Sequence, residues 1–225
     1  MKQKYIQYIA TNEVLPAMLT TDNILFTSGA SEAINLVLQA FCDPFKDHIC
    51  VTPPTFGLYE ELAIRHQVDV KISPLLGKNF DQLNFIELKN SNAKIIYLCS
   101  PNNPVGTELK FNEIHHLLTN ISNTIIVIDE TYFDFSSNKK WLALLGEYEN
   151  LVFIRSFSKA WGLAGVRAGV VIANKSIIDV LRLIQLPFTF SEPAQESVSK
   201  RLEQIDDIHK LIVSLLIYVK CYLVF

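Results

Sequence analysis

The 225-residue sequence is 49% hydrophobic, and its 20 basic and 23 acidic residues give a formal net charge of −3. This length is sufficient for one sizeable α/β core with a small appendage. The balanced charges include no basic block, which gives no reason to expect nucleic acid or an anionic membrane as a partner.

The cysteines and the first residues bear on the cellular compartment. Cys42, Cys50, Cys99 and Cys221 are scattered, without a CxxC pair or the spacing of metal ligands, so no metal site is predicted. Cysteines in or beside apolar runs favour buried free thiols in a reducing compartment. Residues 1–14 lack the uninterrupted apolar core of a signal peptide. We therefore predict a cytoplasmic protein.

The chain begins with a weakly amphipathic segment, and a chemically interesting helix start follows. Residues 4–19 predict a weak helix, and residues 23–27 predict a short strand. A helix then opens at Gly29, because the apolar positions of residues 33–41 have helical spacing. A helix N-terminus presents free N–H groups and a positive dipole, which together can bind an anion. The alternative is an ordinary serine N-cap followed by a glutamate.

Strands and helices alternate through most of the remaining sequence. This order predicts an α/β fold, a three-layer sandwich with a largely parallel mixed sheet. Short apolar runs that end in turn residues mark the strands. The predicted strands cover residues 48–52, 68–73, 94–99, 124–128, 151–154 and 166–173. The predicted helices begin after residue 56 and cover residues 82–90, 111–119 and 175–186, with another helix after residue 187.

Chemically useful side chains lie at the ends of three of these strands. Phe56, Asn103 and Asp129 each stand at or just beyond the end of an apolar run, and Tyr132 follows shortly after. Ligands of α/β sheets bind at the carboxyl ends of strands, where an aromatic ring can lie against a planar ligand. A buried carboxylate at such a position requires a cation. The structural alternatives are a core plug for Phe56, turn chemistry for Asn103 and a capped turn for Asp129.

The most informative stretch covers residues 151–169. Its apolar strand leads into Ser156, Ser158 and Lys159, and Arg167 follows in a segment loosened by three glycines. A lysine amine can form a Schiff base with an aldehyde, while serine hydroxyls and a guanidinium can bind a phosphate. The stretch therefore favours an aldehyde ligand that carries a phosphate. A surface Ser-Lys loop is the alternative.

These motifs resemble those of the class I/II aminotransferases, which are pyridoxal-phosphate (PLP) enzymes of fold type I. The segment SFSKAWGLAGVRAG resembles the family's cofactor-lysine segment, and SPNNPVG and DETY resemble its SPNNPTG and DEAY motifs. The resemblance is closest to histidinol-phosphate aminotransferases, with threonine-phosphate decarboxylases as near relatives. It extends over roughly residues 20–205.

The resemblance implies a role for each candidate residue. Lys159 would hold PLP and transfer the proton, and Asp129 would keep the pyridine nitrogen protonated. Asn103 and Tyr132 would bind the phenolic oxygen. Phe56, which stands where the family has a tyrosine, would stack on the ring. The phosphate would be held by Ala30, Ser31, Ser156, Ser158 and Arg167.

The resemblance also implies substrates and an assembly. It implies transamination between histidinol phosphate or imidazole-acetol phosphate and glutamate or 2-oxoglutarate, catalysed by a homodimer. A threonine-phosphate decarboxylase is an alternative on the same scaffold. A non-enzymatic nucleotide-binding domain is a third interpretation, and the lack of GxGxxG and GxxxxGK[ST] motifs argues against it.

Both ends of the chain depart from the family pattern. The family's N-terminal arm tyrosine and the C-terminal arginine that binds the substrate carboxylate have no match here. We divide the chain into an N-terminal helix remnant (1–20), a PLP-binding large domain (21–190) and the start of a C-terminal small domain (191–225). The apolar residues 211–225 are fewer than the roughly 20 needed to span a bilayer. We interpret these residues as a truncated or frameshifted end, and a short membrane anchor is the second interpretation. The functional alternative is a truncated homologue that binds PLP weakly or not at all and is catalytically inactive.

Overall fold

The apolar runs form strands in the computed structural model, which describes residues 1–136 and 141–222. Within these residues, seven strands make up one sheet. The strands are β1 (Ile24–Thr27), β2 (His48–Val51), β3 (Asp69–Ile72), β4 (Ile95–Cys99), β5 (Ile125–Asp129), β6 (Leu151–Ser156) and β7 (Gly169–Ala173). The prediction of the strands is confirmed, and their ends differ from the predicted ones by at most three residues.

The strand order across the sheet is β1-β7-β6-β5-β4-β2-β3. The neighbours from β6 to β3 are parallel, whereas β7 runs antiparallel to both β6 and β1. The predicted α/β fold with a largely parallel mixed sheet is therefore confirmed. All carboxyl ends of the parallel strands lie at one edge of the sheet, and β7 starts at that same edge.

Helices cover both faces of the sheet in the described part of the chain. They are α1 (Lys2–Asn12), α2 (Gly29–Phe41), α3 (Leu58–Arg65), α4 (Phe85–Ser91), α5 (Phe111–Asn120), α6 (Lys175–Ile184), α7 (Glu192–Leu202) and α8 (Ile205–Tyr222). Buried side chains of α2, α3 and α6 share one hydrophobic core with the sheet, and those of the other five helices share a second core. Alternate residues of the central strands face opposite cores, as the pleat requires: Tyr97 of β4 faces the first core and Leu98 the second.

Two predicted boundaries are wrong. The helix predicted for residues 4–19 ends at Asn12, because Glu13 is extended with φ −139° and ψ 155°. The strand predicted from Val166 begins at Gly169. A short 3-10 helix (Ala164–Val166) precedes it, and Arg167 has left-handed backbone with φ 57°. The structure thus places Arg167 in a turn at the sheet edge.

The apolar tail, residues 211–225, belongs to helix α8 as far as Tyr222. Residues 223–225 lie outside the described residues. Ile208 and Ile212, one turn apart, are buried in the second core, whereas Val213 and Ile217 are more than half exposed. Among the helices of residues 1–136 and 141–222, none combines the length and apolar character needed to cross a membrane.

Candidate active site

The carboxyl ends of β4, β5 and β6 border a small cavity. Asp129 is the last residue of β5, and loops that follow β4, β5 and β6 supply the other polar side chains. Because neighbouring parallel strands end at the same edge, residues that are distant in the sequence converge here. The cavity is lined by the predicted residues Phe56, Asn103, Asp129, Tyr132 and Lys159, together with Cys99 and Thr131.

Asp129 presents a buried carboxylate to this cavity. Its side chain accepts two hydrogen bonds, from the Tyr59 hydroxyl to Oδ2 at 2.7 Å and from the Thr131 N–H to Oδ1 at 2.9 Å. Burial raises the pKa of Asp129, while the bonds from Tyr59 and Thr131 and the charge of Lys159 oppose that rise. A carboxylate in this environment favours a cationic partner in the cavity.

Lys159 supplies an exposed amine at the same cavity. It lies in the loop after β6, and its Nζ is 5.2 Å from the centroid of the Tyr132 ring. The exposure of the side chain leaves the amine accessible to a ligand. A nucleophilic amine and a buried carboxylate therefore border one small space.

The N-terminus of α2 forms a second polar feature at this edge of the sheet. The Ser28 hydroxyl makes no cap bond within the described residues, so the ordinary serine N-cap considered from the sequence is not observed. The Ser28 N–H instead donates to the Glu32 carboxylate. A Cβ built on Gly29, whose φ is +77°, would lie 2.5 Å from Nη2 of Arg167, so the guanidinium packs directly on the first turn.

A helix N-terminus and a guanidinium in contact make a site for an anion. We call this feature the anion cradle. The name covers Gly29 and Arg167, which approach each other closely, and the other residues that the sequence predicts to hold a phosphate, which are Ala30, Ser31, Ser156 and Ser158.

The strand register brings the end of β6 to the anion cradle. Gly169 of β7 pairs with Ser156 of β6. A Cβ on Gly169 would lie only 2.5 Å from the carbonyl carbon of Gly29 and 2.7 Å from the nitrogen of Ala30. The Ser156 hydroxyl accepts the N–H of Ser158 at 3.1 Å. The chain thus passes from Ser156 of the cradle to Lys159 of the cavity within three residues.

A buried cluster of ion pairs lies next to these strand ends. The two terminal nitrogens of Arg155 donate to both carboxylate oxygens of Glu13 at 2.6 and 2.8 Å, and Nε donates to Glu130 at 2.6 Å. None of the three side chains is more than 6% exposed. The guanidinium carbon also lies 3.7 Å from the centroid of the Phe133 ring. The cluster connects the residue after α1 to the ends of β5 and β6.

The sequence alone did not single out Tyr59, Thr131 or the ion-pair cluster. Tyr59 is the second residue of α3 and stands three residues after Phe56, so its closeness in sequence to a predicted residue was the only local signal. Arg155 and Glu130 are direct neighbours of predicted residues. Their partner Glu13 is separated from Arg155 by 142 positions, and no local pattern reveals that contact.

The comparisons with known proteins agree with this fold and show the family. The family model for aminotransferase class I and II matches residues 1–215, and the chain belongs to this family. The histidinol-phosphate aminotransferase of Flavobacterium johnsoniae is 40% identical over 195 residues, which cover 86% of this chain and 55% of the relative. The chain thus spans about half the length of the curated relatives it matches.

Solved structures share the architecture. The L-threonine-O-3-phosphate decarboxylase of Porphyromonas gingivalis is 27% identical with a TM-score of 0.74, over 89% of this chain and 60% of that one. The histidinol-phosphate aminotransferase of Sinorhizobium meliloti, solved in complex with pyridoxal-5'-phosphate, has a TM-score of 0.82 at 19% identity, over 94% of this chain and 56% of that one. The predicted fold class and family are confirmed.

Proposed function

We propose that this chain binds PLP and catalyses transamination between histidinol phosphate or imidazole-acetol phosphate and glutamate or 2-oxoglutarate. The observation that carries the proposal is the convergence of Lys159, Asp129, Asn103 and Tyr132 on one cavity beside the anion cradle. Curated relatives named histidinol-phosphate aminotransferase, 34–40% identical to this chain, support the choice of substrate.

The donor set of the site fits PLP group by group. PLP has an aldehyde, a phenolic oxygen, a pyridine nitrogen and a phosphate. The site has an exposed amine in Lys159, side-chain donors in Asn103 and Tyr132, a buried carboxylate in Asp129 and an anion cradle. Phe56 adds an aromatic wall to the cavity.

Asp129 and its neighbours would set the electronic state of the cofactor. PLP, when bound, supplies an aldehyde that condenses with amines and a protonated ring that accepts an electron pair from a substrate carbon. Asp129 would hold the proton on the pyridine nitrogen, because a buried carboxylate stabilises a cation beside it. Asn103 and Tyr132 would donate hydrogen bonds to the phenolic oxygen, and Phe56 would stack on the ring.

Lys159 would have two roles. Its amine would attach the cofactor through the aldehyde and, when free, would take the proton from the substrate carbon that bears the amino group and deliver it to the carbon of that aldehyde group. Its exposed side chain, in the loop after β6, suits both roles, since the amine must reach the cavity and must also become free for catalysis. The anion cradle would hold the phosphate through the backbone of Ala30 and Ser31 and the side chains of Ser156, Ser158 and Arg167.

The close approach of β7 to α2 leads to a prediction about the cradle. Gly169→Ala would place a methyl group against the backbone of Gly29 and Ala30, so α2 must shift. Overpacking of this kind costs about 1–3 kcal/mol of unfolding free energy. We expect lower stability in urea unfolding, and an affinity for PLP that falls more than the affinity for pyridoxal, which lacks the phosphate.

Gly165→Ala is the matched control, because a Cβ on Gly165 meets no atom within 4 Å. We expect that variant to keep both affinities. An equal loss of PLP and pyridoxal binding in Gly169→Ala would contradict the assignment of the cradle to the phosphate.

A turnover assay tests the proposed function directly. The full chain is mixed with PLP, histidinol phosphate and 2-oxoglutarate, and the formation of glutamate is measured. We expect glutamate only when histidinol phosphate, PLP and protein are all present. Visible absorbance of the PLP-loaded chain, recorded in parallel, reports binding independently of turnover.

Two other outcomes have distinct meanings. PLP binding without glutamate formation would support a chain that holds the cofactor but lacks catalysis. Release of carbon dioxide from O-phosphothreonine would support a decarboxylase, an alternative favoured by the 27% identity to the P. gingivalis decarboxylase. Absence of any PLP signal in a folded sample would exclude the proposal.

Assembly, compartment and domain division belong to the same proposal. We propose a homodimer, supported by apolar surface at Leu183, Leu186 and Phe188, whose exposed fractions are 85, 73 and 94%. Sedimentation equilibrium decides between monomer and dimer.

A cytoplasmic location is supported by the buried free thiols of Cys42, Cys50 and Cys99. The division into residues 1–20, 21–190 and 191–225 also stays a proposal.

A further inference from the structure

Tyr59 is fixed beneath the cavity by aromatic contacts on two sides. Its side chain is 1% exposed. The ring stacks on Tyr97 with centroids 4.8 Å apart and planes 6° apart, and Phe56 meets its edge at 5.7 Å and 86°. The phenol of Tyr59 therefore has little freedom to turn away.

The hydroxyl of Tyr59 forms a hydrogen bond with the carboxylate of Asp129. It donates to Oδ2 at 2.7 Å, while the Thr131 N–H donates to Oδ1 at 2.9 Å. An ionised carboxylate has about four acceptor positions, so two protein donors leave the others available to the cavity. Hydrogen bonds to an ionised acceptor are shorter and stronger than neutral ones. Each carboxylate oxygen is thereby held in place and its charge is stabilised.

We propose that Tyr59 is a positioning residue, whose hydroxyl keeps Asp129 ionised and oriented toward the pyridine nitrogen of the cofactor. The inference rests on the proposed function, in which Asp129 faces that nitrogen. The start of α3 and the residues just before it then have two tasks. Phe56, just before the helix, lines the cavity, and Tyr59, in the helix, supports the carboxylate. Tyr59 would act only through Asp129 and would not touch the cofactor.

The test must separate this role from simple packing. Tyr59→Phe keeps the stacked ring and removes only the hydroxyl. Affinities of the full chain are measured for PLP and for its 1-deaza analogue, in which a C–H group replaces the pyridine nitrogen. We expect Tyr59→Phe to weaken PLP binding about ten-fold, the effect of one lost charge-assisted bond. The analogue, which has no nitrogen for Asp129, should bind both proteins within about two-fold.

The matched control is Tyr97→Phe, which removes a buried tyrosine hydroxyl bonded to the Ile34 carbonyl rather than to Asp129. We expect Tyr97→Phe to affect PLP and the analogue alike. Equal weakening of both ligands by Tyr59→Phe, no weakening of PLP, or the same selectivity in Tyr97→Phe would each overturn the proposal.

A measurement without cofactor keeps this inference separable from the proposed function. The titratable side chains that interact with Asp129 or line its cavity in the described residues are Tyr59, Tyr97, Cys99, Glu130, Tyr132 and Lys159. Carbon-13 NMR of aspartate-labelled protein, with Asp129→Asn for assignment, follows the carboxyl directly. Loss of the Tyr59 hydroxyl should move its titration upward by about one pH unit, because the bond favours the charged form.

If the wild-type chain binds no PLP, the proposed function fails, and the NMR comparison still decides the role of Tyr59. An upward shift in Tyr59→Phe supports the positioning role. An unchanged titration overturns it.

Discussion

Lys159→Ala is expected to abolish covalent retention of PLP and to lower any turnover by at least about a thousand-fold. Borohydride reduction fixes a cofactor that is bonded to a lysine amine. After reduction and denaturation, the wild-type chain should carry the mass of the cofactor on the peptide that contains residue 159, and the variant should carry none. Mass spectrometry of the digested proteins measures this.

The reason is the position of the amine. Of the lysines in the described residues, Lys159 lines the cavity that also contains Asp129. The anion cradle, which would hold the phosphate, does not include this amine. The variant should therefore retain weak, reversible affinity for PLP. Equilibrium dialysis before reduction measures this residual affinity for PLP.

The matched control is Lys175→Ala, which removes an exposed lysine that pairs with Asp179 on α6. We expect normal labelling of residue 159 in that variant. An adduct that persists in Lys159→Ala, on a different lysine, would show that the site is elsewhere.

The cavity residues could be predicted from the sequence because each belongs to a local pattern at a strand end. Asn103 follows the apolar run of β4, Asp129 closes β5, and Lys159 follows β6. The topology of parallel strands then brings such positions together without further information. The family resemblance added the expected roles of these residues, which local patterns do not contain.

Contacts that depend on register or on distant segments could not be predicted in this way. The approach of Gly169 to Ala30 requires β7 to run antiparallel between β1 and β6, which no periodicity reveals. Arg167 lies in a turn rather than a strand, because its left-handed backbone interrupts an otherwise apolar run. The bond from Tyr59 to Asp129 crosses from a helix to a strand 70 positions away.

The buried pairing of Arg155 with Glu13 and Glu130 gives the second large expected effect. Arg155→Met should lower the free energy of unfolding by about 3–5 kcal/mol, because it leaves two buried carboxylates without their cation. The cluster supports the ends of β5 and β6, so the site should be lost with it. Urea unfolding, followed by tryptophan fluorescence, measures the change.

The loss of unfolding free energy in Arg155→Met should be larger at high pH than at low pH. Burial raises the pKa of Glu130 to about 7 in the wild type, above the value of an unfolded glutamate, so its contribution to stability falls as pH rises toward 7. Without Arg155 the folded pKa of Glu130 rises further, and the fall continues above pH 7. The difference between the two proteins should therefore be larger at pH 8 than at pH 6.

Two further variants make this prediction specific to buried charge. Lys4→Met breaks the exposed pair of Lys4 and Glu203, which links α1 to the residue after α7, and should change stability little at either pH. Combining Arg155→Met with Glu13→Gln and Glu130→Gln should remove the pH dependence and recover part of the stability, since neutral amides do not need a buried cation. Equal losses at pH 6 and pH 8 in Arg155→Met would mean that packing against Phe133, rather than charge pairing, is the main contribution of this arginine. The pH dependence thus decides whether an ionic connection holds the residue after α1 against β5, which ends in Asp129, and β6, which leads to Lys159.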